Sequence, residues 1–540
     1  YQIQGGFSLY GLPLATEVAA GRVGEGGAMP VRASLRLPEG TAGLRFAGIV
    51  TLGEALRLQG DLRAEGTDLR APVRAVLTGD GGGNPGTVEG PGPEALLPPL
   101  LNQPFSLRTT LDASSQLLNV NNLEVQLGDT RGTGTIKVVP GNAVPGRAAQ
   151  GRTSPGTVPG APAAADRGPT SATVTLAFNR FDLDAWLARP AGAQNGAGGA
   201  AFALPGLMAG RGGFRLPSAL QAVFDISIDA MSYRGNLMRQ TRLEAALEGG
   251  RLAVTRFGGL APGGSEITLN GTLAAEGGAP LVDGGFTASA DDLRAVLDWL
   301  GMPTDRVPAD RLHKFSATGQ VRGTPPNLQL AGLDLVLDTT RVTGGVAYVD
   351  RGRPGFGVRL DLDRLNLDAY DPELARGLAG RGPRPIDLAA LTNAADANLD
   401  LHVGTLTLGG VAIHDLALDG TLSNGAVALR SARAADVAGL KLALSGSLGK
   451  VQPFDNLNLT LSASAPSLAP LVRTLRIRSP VPPEQIGDVT LQGRFAGDLE
   501  RLAVEVKLGA AGGTVEAAGT VAQIPTVPNV DLKARATFGE

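Results

Sequence analysis

The sequence predicts a mainly β protein: an elongated, twisted antiparallel sheet curled into an apolar groove, with a few short helices at the ends of strand blocks. Three observations predict it. Apolar and polar residues alternate with period 2 over most of the chain. Gly and Asn recur between the alternating runs, where tight turns need them. Helical spacing is confined to a handful of short stretches.

In chain order, YQIQGGFSLYG (1–11) already reads as strand. PFSLRTTLDA (104–113), NNLEVQLG (121–128), GTGTIKVV (132–139) and SATVTLAF (171–178) follow, then AVFDISIDA (222–230) and SEITLNGTLAA (265–275). The second half continues with NLQLAGLDLVLD (327–338), GVRLDLDRLNL (357–367), NLDLHVGTLTLGG (398–410), NLNLTLSA (456–463) and LAVEVKLG (502–509). In each, Leu, Val, Ile or Phe takes one face and polar residues the other, as in a sheet with one wet side. At this density the chain holds about 25–35 strands. Short connections predict antiparallel pairing.

The interruptions recur. FNRFDLDAWL (178–187) leaves a strand and starts a helical turn. FTASADDLRAVLDWLGMP (286–303), LDRLNLDAYDPELARGL (362–378) and SASAPSLAPLVRTL (462–475) do the same, and LRAEGTDLRAPVRAV (62–76) is a weaker copy. Asp, Asn and Ser accept hydrogen bonds from the free N–H groups of a helix start, so each break carries a cap. Asp182 and Asp184 are therefore read as caps and turn-formers, not as catalytic carboxylates. The spacing of the copies is irregular and predicts no fixed-period solenoid. The breaks suggest blocks at 1–99, 100–190, 191–303, 304–395 and 396–540. Gly- and Pro-rich stretches at 79–94, 140–169 and 188–201 read as flexible loops, since they lack apolar residues to offset ordering entropy.

Composition narrows the function. Cysteine is absent, which removes thiolate chemistry and Cys-based zinc sites. The net charge is −3 with both signs interspersed, so no nucleic-acid footprint exists. No apolar run reaches transmembrane length. The chain opens on Tyr1 and already in a strand, so a preceding anchor or signal is expected. The three histidines, His313, His402 and His414, lack metal-ligand spacing. Asp361 and Asp363 fall on the polar face, without the glycine and terminal Glu of a calcium loop. RGTGT (131–135) and LGKV (448–451) match no phosphate-binding fingerprint, and no nucleophile elbow occurs. Neither an enzyme nor a cofactor is expected.

The apolar face is left as the candidate site. About 30 strands at about 4.8 Å each would extend on the order of 140 Å, and few helices are at hand to cover them. Such a face becomes a packed core or holds something apolar. Aliphatic side chains without polar anchors suit acyl chains, which need area and not directional bonds. The candidate lining residues are Val174, Leu176 and Phe178; Phe224, Ile226 and Ile228; Ile267 and Leu269; Leu333, Leu335 and Leu337. In the later strands they are Val358, Leu360 and Leu362; Leu399, Leu401 and Val403; and Leu457, Leu459 and Leu461. The rival readings are an array of dry β-sandwiches, structural or adhesin-like, and an outer-membrane barrel. Two Trp and five Tyr are too few for a barrel's aromatic girdles.

LNVNNLEVQLGDTRGTGTIKV (118–138), its looser form LQLAGLDLVLDTTRVTGGVAYV (328–349), and strand exits such as FNRFDLDAWL and DDLRAVLDWL together resemble the AsmA family of Gram-negative envelope proteins. The similarity covers most of 100–510. It implies a hydrophobic β-groove that binds or conducts phospholipid or another acyl lipid in outer-membrane biogenesis. It also implies a periplasmic location, tethering to the inner membrane by an N-terminal helix absent from this chain, and envelope protein partners. The 140–169 loop is not something the resemblance explains.

Overall fold

The computed structural model describes residues 1–9, 12–37, 42–53, 56–69, 101–141, 168–187, 214–373, 394–450, 455–475, 482–524 and 529–538. The predicted loops at 79–94, 140–169 and 188–201 lie almost wholly outside these residues. So does the helical part of the weaker 62–76 copy. The described chain is mainly β, 72% strand and 7% helix, and its sheet is open and does not close on itself.

Two compact units divide the chain, Tyr1–Gly284 and Gly285–Glu540. The first holds β1 (Gln2–Leu9), β2 (Leu12–Ala20), β3 (Ala28–Arg36), β4 (Ala42–Leu52), β5 (Leu56–Gly66), β6 (Phe105–Ser114), β7 (Leu118–Leu127), β8 (Thr130–Val139) and β9 (Thr170–Asp182). Helix α1 (Leu183–Leu187) follows, then β10 (Leu220–Tyr233), β11 (Asn236–Glu248), β12 (Arg251–Ala261) and β13 (Ser265–Glu276). The unit boundary falls within β14 (Ala279–Ala290), which runs into α2 (Leu293–Trp299). The second unit continues with β15 (Phe315–Thr324), β16 (Asn327–Leu337), β17 (Thr340–Asp350), β18 (Pro354–Asn366), α3 (Leu367–Tyr370), β19 (Asp396–Leu408) and β20 (Val411–Ser423). It ends with β21 (Ala426–Val437), β22 (Leu440–Leu448), β23 (Leu457–Ala465), α4 (Ala469–Leu475), β24 (Val489–Gly497), β25 (Arg501–Ala510), β26 (Gly513–Ala522) and β27 (Asn529–Phe538).

Within each unit strands pair with their sequence neighbours, so hairpin follows hairpin. Among the described pairings two depart from the antiparallel expectation: β9 with β10, and β18 with β19, are parallel. The reason is local. A parallel partner must start at the same side of the sheet, which needs a crossover of a dozen or more residues and not a turn. FNRFDLDAW and LDRLNLDAY are where those crossovers begin.

The two units share a backbone plan. Positive-φ residues recur at one constant spacing: Gln240 (52°) and Asp415 (50°), Gly250 (75°) and Gly425 (82°), Gly264 (63°) and Gly439 (90°), Gly271 (146°) and Gly446 (152°). The motifs at 118–138 and 328–349 also coincide. Asn122 (50°) matches Gly332 (59°), each an extra residue bulged against the following strand, with Gly134 and Gly344 on the return strand. Bulges of this kind bend a sheet and sharpen its twist. At Gly344, φ is +139° and a Cβ would stand 2.1 Å from the Arg359 carbonyl oxygen, so only glycine fits.

Candidate functional site

The site is built from strand register. In the first unit Leu176 faces Ile226, which faces Leu243, then Phe257, then Leu269. Val174 and Phe224 form a parallel row, and Phe178 and Ile228 a third, which Ile267 approaches across Gly259. In the second unit Leu333, Gly344, Leu360, Leu401 and Leu418 are successive partners, and the row continues through Ala432 and Leu444 to Leu461. Val358 and Leu399 lie on a second row, which reaches Leu459 through Gly420, Leu429 and Gly446. Leu335, Val342, Leu362 and Val403 form a third. Leu337 pairs with Phe315 and Leu457 with Gly497, outside these rows.

All of the sequence-chosen residues except Val403 (7% exposed) are half-buried. No large side chain among the described residues is fully buried. Among the described residues one small cluster is buried: Leu101 and Leu127, with Leu69, Phe105 and Ala185 against them. Among the described residues the apolar face thus stays partly exposed, unlike a dry core.

The opposite face is polar and cross-linked by ion pairs. Arg359 Nε lies 2.8 Å from Asp400 Oδ2, Lys507 Nζ 2.8 Å from Glu516 Oε1, and Arg57 Nη2 2.8 Å from Asp112 Oδ2. The Arg57 hydrogen bond holds the Asp112 carboxyl below its usual range. Apart from the half-buried Asp112 these partners are exposed, so the pairs do more for register and solubility than for stability. His402 joins this face, with Nδ1 3.2 Å from Asp361 Oδ1. His313 reaches the Ala309 carbonyl and His414 the Thr405 hydroxyl. Among the described residues no group of His, Asp and Glu converges to hold a metal.

The strand exits are structural, and more elaborate than the sequence suggested. Asp182 Oδ1 accepts the Ala185 N–H at 2.9 Å, and Asn366 Oδ1 accepts that of Ala369 at 3.1 Å. Asp184 accepts the N–H groups of Arg234 and Gly235, in the turn between β10 and β11. Asp368 does the same for Gly409 and Gly410, between β19 and β20. Asn179 and Asp363 each accept the N–H of the next residue and that of an arginine at the start of an earlier strand, Arg131 in β8 and Arg341 in β17. Position by position, the two segments make the same bonds. Asp292 and Ser467 cap the other breaks, accepting from the Ala295 and Ala469 N–H groups.

Both helices at the parallel joins sit at apolar rows. The Trp186 ring stacks on Phe181, 5.7 Å between centroids and 17° from parallel, and Phe181 lies 6.2 Å from Phe178. Tyr370 instead donates its O–H to Asp338 Oδ2 at 2.8 Å. Burial pushes the Tyr370 phenol up to about 12, and the bond to Asp338 adds to the effect. Burial pushes Asp338 up too, but donations from Tyr370, Leu312 and His313 outweigh it and hold the carboxyl below its ordinary range.

Sequence reading missed Leu243, Phe257, Leu418 and Leu444 as members of the rows. Bulges explain two of the four: an extra residue near Gln240 precedes Leu243, and one between Val254 and Phe257 shifts the parity of β12. Leu418 follows the positive-φ residue Asp415. Leu444 sits on a cleanly alternating strand and was legible.

No protein-family model matches the chain, and no curated protein matches it. No helix among the described residues is long and apolar enough to cross a membrane.

Proposed function

We propose that the apolar face is a groove that binds or conducts acyl lipids, without catalysis. The observation that carries this reading is the combination of register and burial. Apolar side chains from successive strands line up in rows across β9–β13 and across β16–β23, and the sequence-chosen ones other than Val403 remain half-buried. Covering such a face stabilises by about 25 cal/mol per Å² of apolar area, and an acyl chain can supply that cover without directional bonds. The polar face, with its cross-strand ion pairs, keeps the sheet wetted on the other side. The AsmA-like motifs give the reading a setting: phospholipid movement toward the outer membrane, in the periplasm, with an inner-membrane tether and envelope partners.

The experiment is mass spectrometry of lipids extracted from protein purified without detergent. Phospholipid is expected at a reproducible ratio to protein. Repeated preparations free of lipid would overturn the proposal and favour a ligand-free structural array.

A further inference from the structure

The two parallel joins share every backbone-holding bond, so the differences in their rings stand out. In the first unit the apolar row ends on aromatic and thioether groups. Phe181 faces Met231, which faces Met238, and both methionines are buried at 6% and 7% exposure. Trp186 stacks above Phe181 yet is 37% exposed, and the neighbouring Ala185 packs against the Leu101–Leu127 cluster. Phe178 carries the same surface into the row of Ile228, its ring over Gly132, where a Cβ would stand 2.5 Å away. At the matched place in the second unit the row is Leu365, Leu406 and Ile413. There Tyr370 is tethered to Asp338, whose carboxylate also holds the Leu312 and His313 N–H groups. The residue matched to Asp338 is Gly128, of like φ (55° against 51°), which has no side chain to tether anything.

We propose that Phe178, Phe181 and Trp186, over Met231 and Met238, form an acyl-chain binding site at which lipid enters the apolar face, and that the matched place in the second unit is latched by Tyr370 and Asp338. The site rests on the lipid-groove reading and names where the chain is first met. Aromatic rings offer large, rigid apolar area, and methionine adapts to irregular chains. A half-exposed stacked indole continuous with an apolar row presents that area to an incoming chain.

The chain has two tryptophans, so Trp299→Phe leaves Trp186 as the sole indole emitter. The full chain is loaded from phosphatidylcholine vesicles brominated along the acyl chains, with unbrominated vesicles as reference. Trp186 emission is expected to fall severalfold with the brominated lipid only. In a second arm, capture of a fluorescent phosphatidylcholine from donor vesicles should slow severalfold in Trp186→Ala, recover in Trp186→Phe, and not slow in Tyr370→Ala. Equal Trp186 emission with both lipids, in protein shown by extraction to retain lipid, would overturn the site. So would equal slowing in Trp186→Ala and Tyr370→Ala. If no variant and no parent chain retains lipid, the groove reading falls together with the site.

Discussion

The segments 178–186 and 362–370 differ at five of nine positions, yet they do the same work with different atoms. Asn179 is replaced by Asp363 and Asp182 by Asn366, and each keeps its backbone partners, because an amide oxygen and a carboxylate oxygen accept the same N–H. Asp184 and Asp368 are identical and clamp matched turns. Phe178, Phe181 and Trp186, by contrast, stand against Leu362, Leu365 and Tyr370. The polar positions hold the parallel join together, and the apolar positions are free to differ in what they offer the apolar face.

The largest effect that would break this likeness is expected at the return-strand glycines. A Cβ at Gly134 or Gly344 meets a carbonyl oxygen at 2.1 Å, but Gly344 alone also has φ +139°. Gly344→Ala should therefore cost about 1–3 kcal/mol more than Gly134→Ala in denaturant unfolding. Equal losses would mean that the second unit's bulge carries no special strain. Next come charges in the rows. Ile226→Asp and Leu401→Asp should each sharply lower the lipid recovered while far-ultraviolet dichroism is kept, since an open face leaves water to solvate the carboxylate. Unfolding of either unit would indicate a sealed core, where an unpaired charge is costly.

Removing the clamps should act more mildly. Asp184→Ala and Asp368→Ala each leave two turn N–H groups without their acceptor, for about 1–2 kcal/mol apiece. Thermal unfolding that responds to only one of them would show that the two joins are not equivalent. The smallest effect separates the units by pH. Because the Tyr370 pKa is raised from 10.0 to about 12, the latch's contribution is complete below pH 10 and is lost as pH rises toward about 12. Asp338 acts in the opposite sense: its contribution is complete above the ordinary carboxylate range and is lost as acid protonates it below that range. Phenolate absorbance should show a late step, and Tyr370→Phe should abolish it.

Much of the fold was legible because its signal is local. Val358, Leu360 and Leu362 alternate with Arg359, Asp361 and Asp363, and the structure sets the first group half-buried and the second exposed. The caps were legible for the same reason, since a cap and its N–H lie two or three residues apart. The rows were only partly legible. A shift of one residue reverses the parity of everything after it. Counting in twos puts Val254 and Phe257 on opposite faces, whereas the bulge between them leaves both half-buried. The turn clamps were illegible, because Asp184 and the Arg234 N–H are fifty residues apart and no pattern links them.

By itself, then, the sequence determined what each residue's neighbours dictate: strand alternation, capped breaks and an aliphatic face. Only the tertiary structure decided which strands run parallel, which apolar residues join into rows across them, and that Tyr370 finds Asp338 while Trp186 is left stacked and half-open. Those outcomes depend on register between strands distant in sequence, and register is set by bulges and turns acting together.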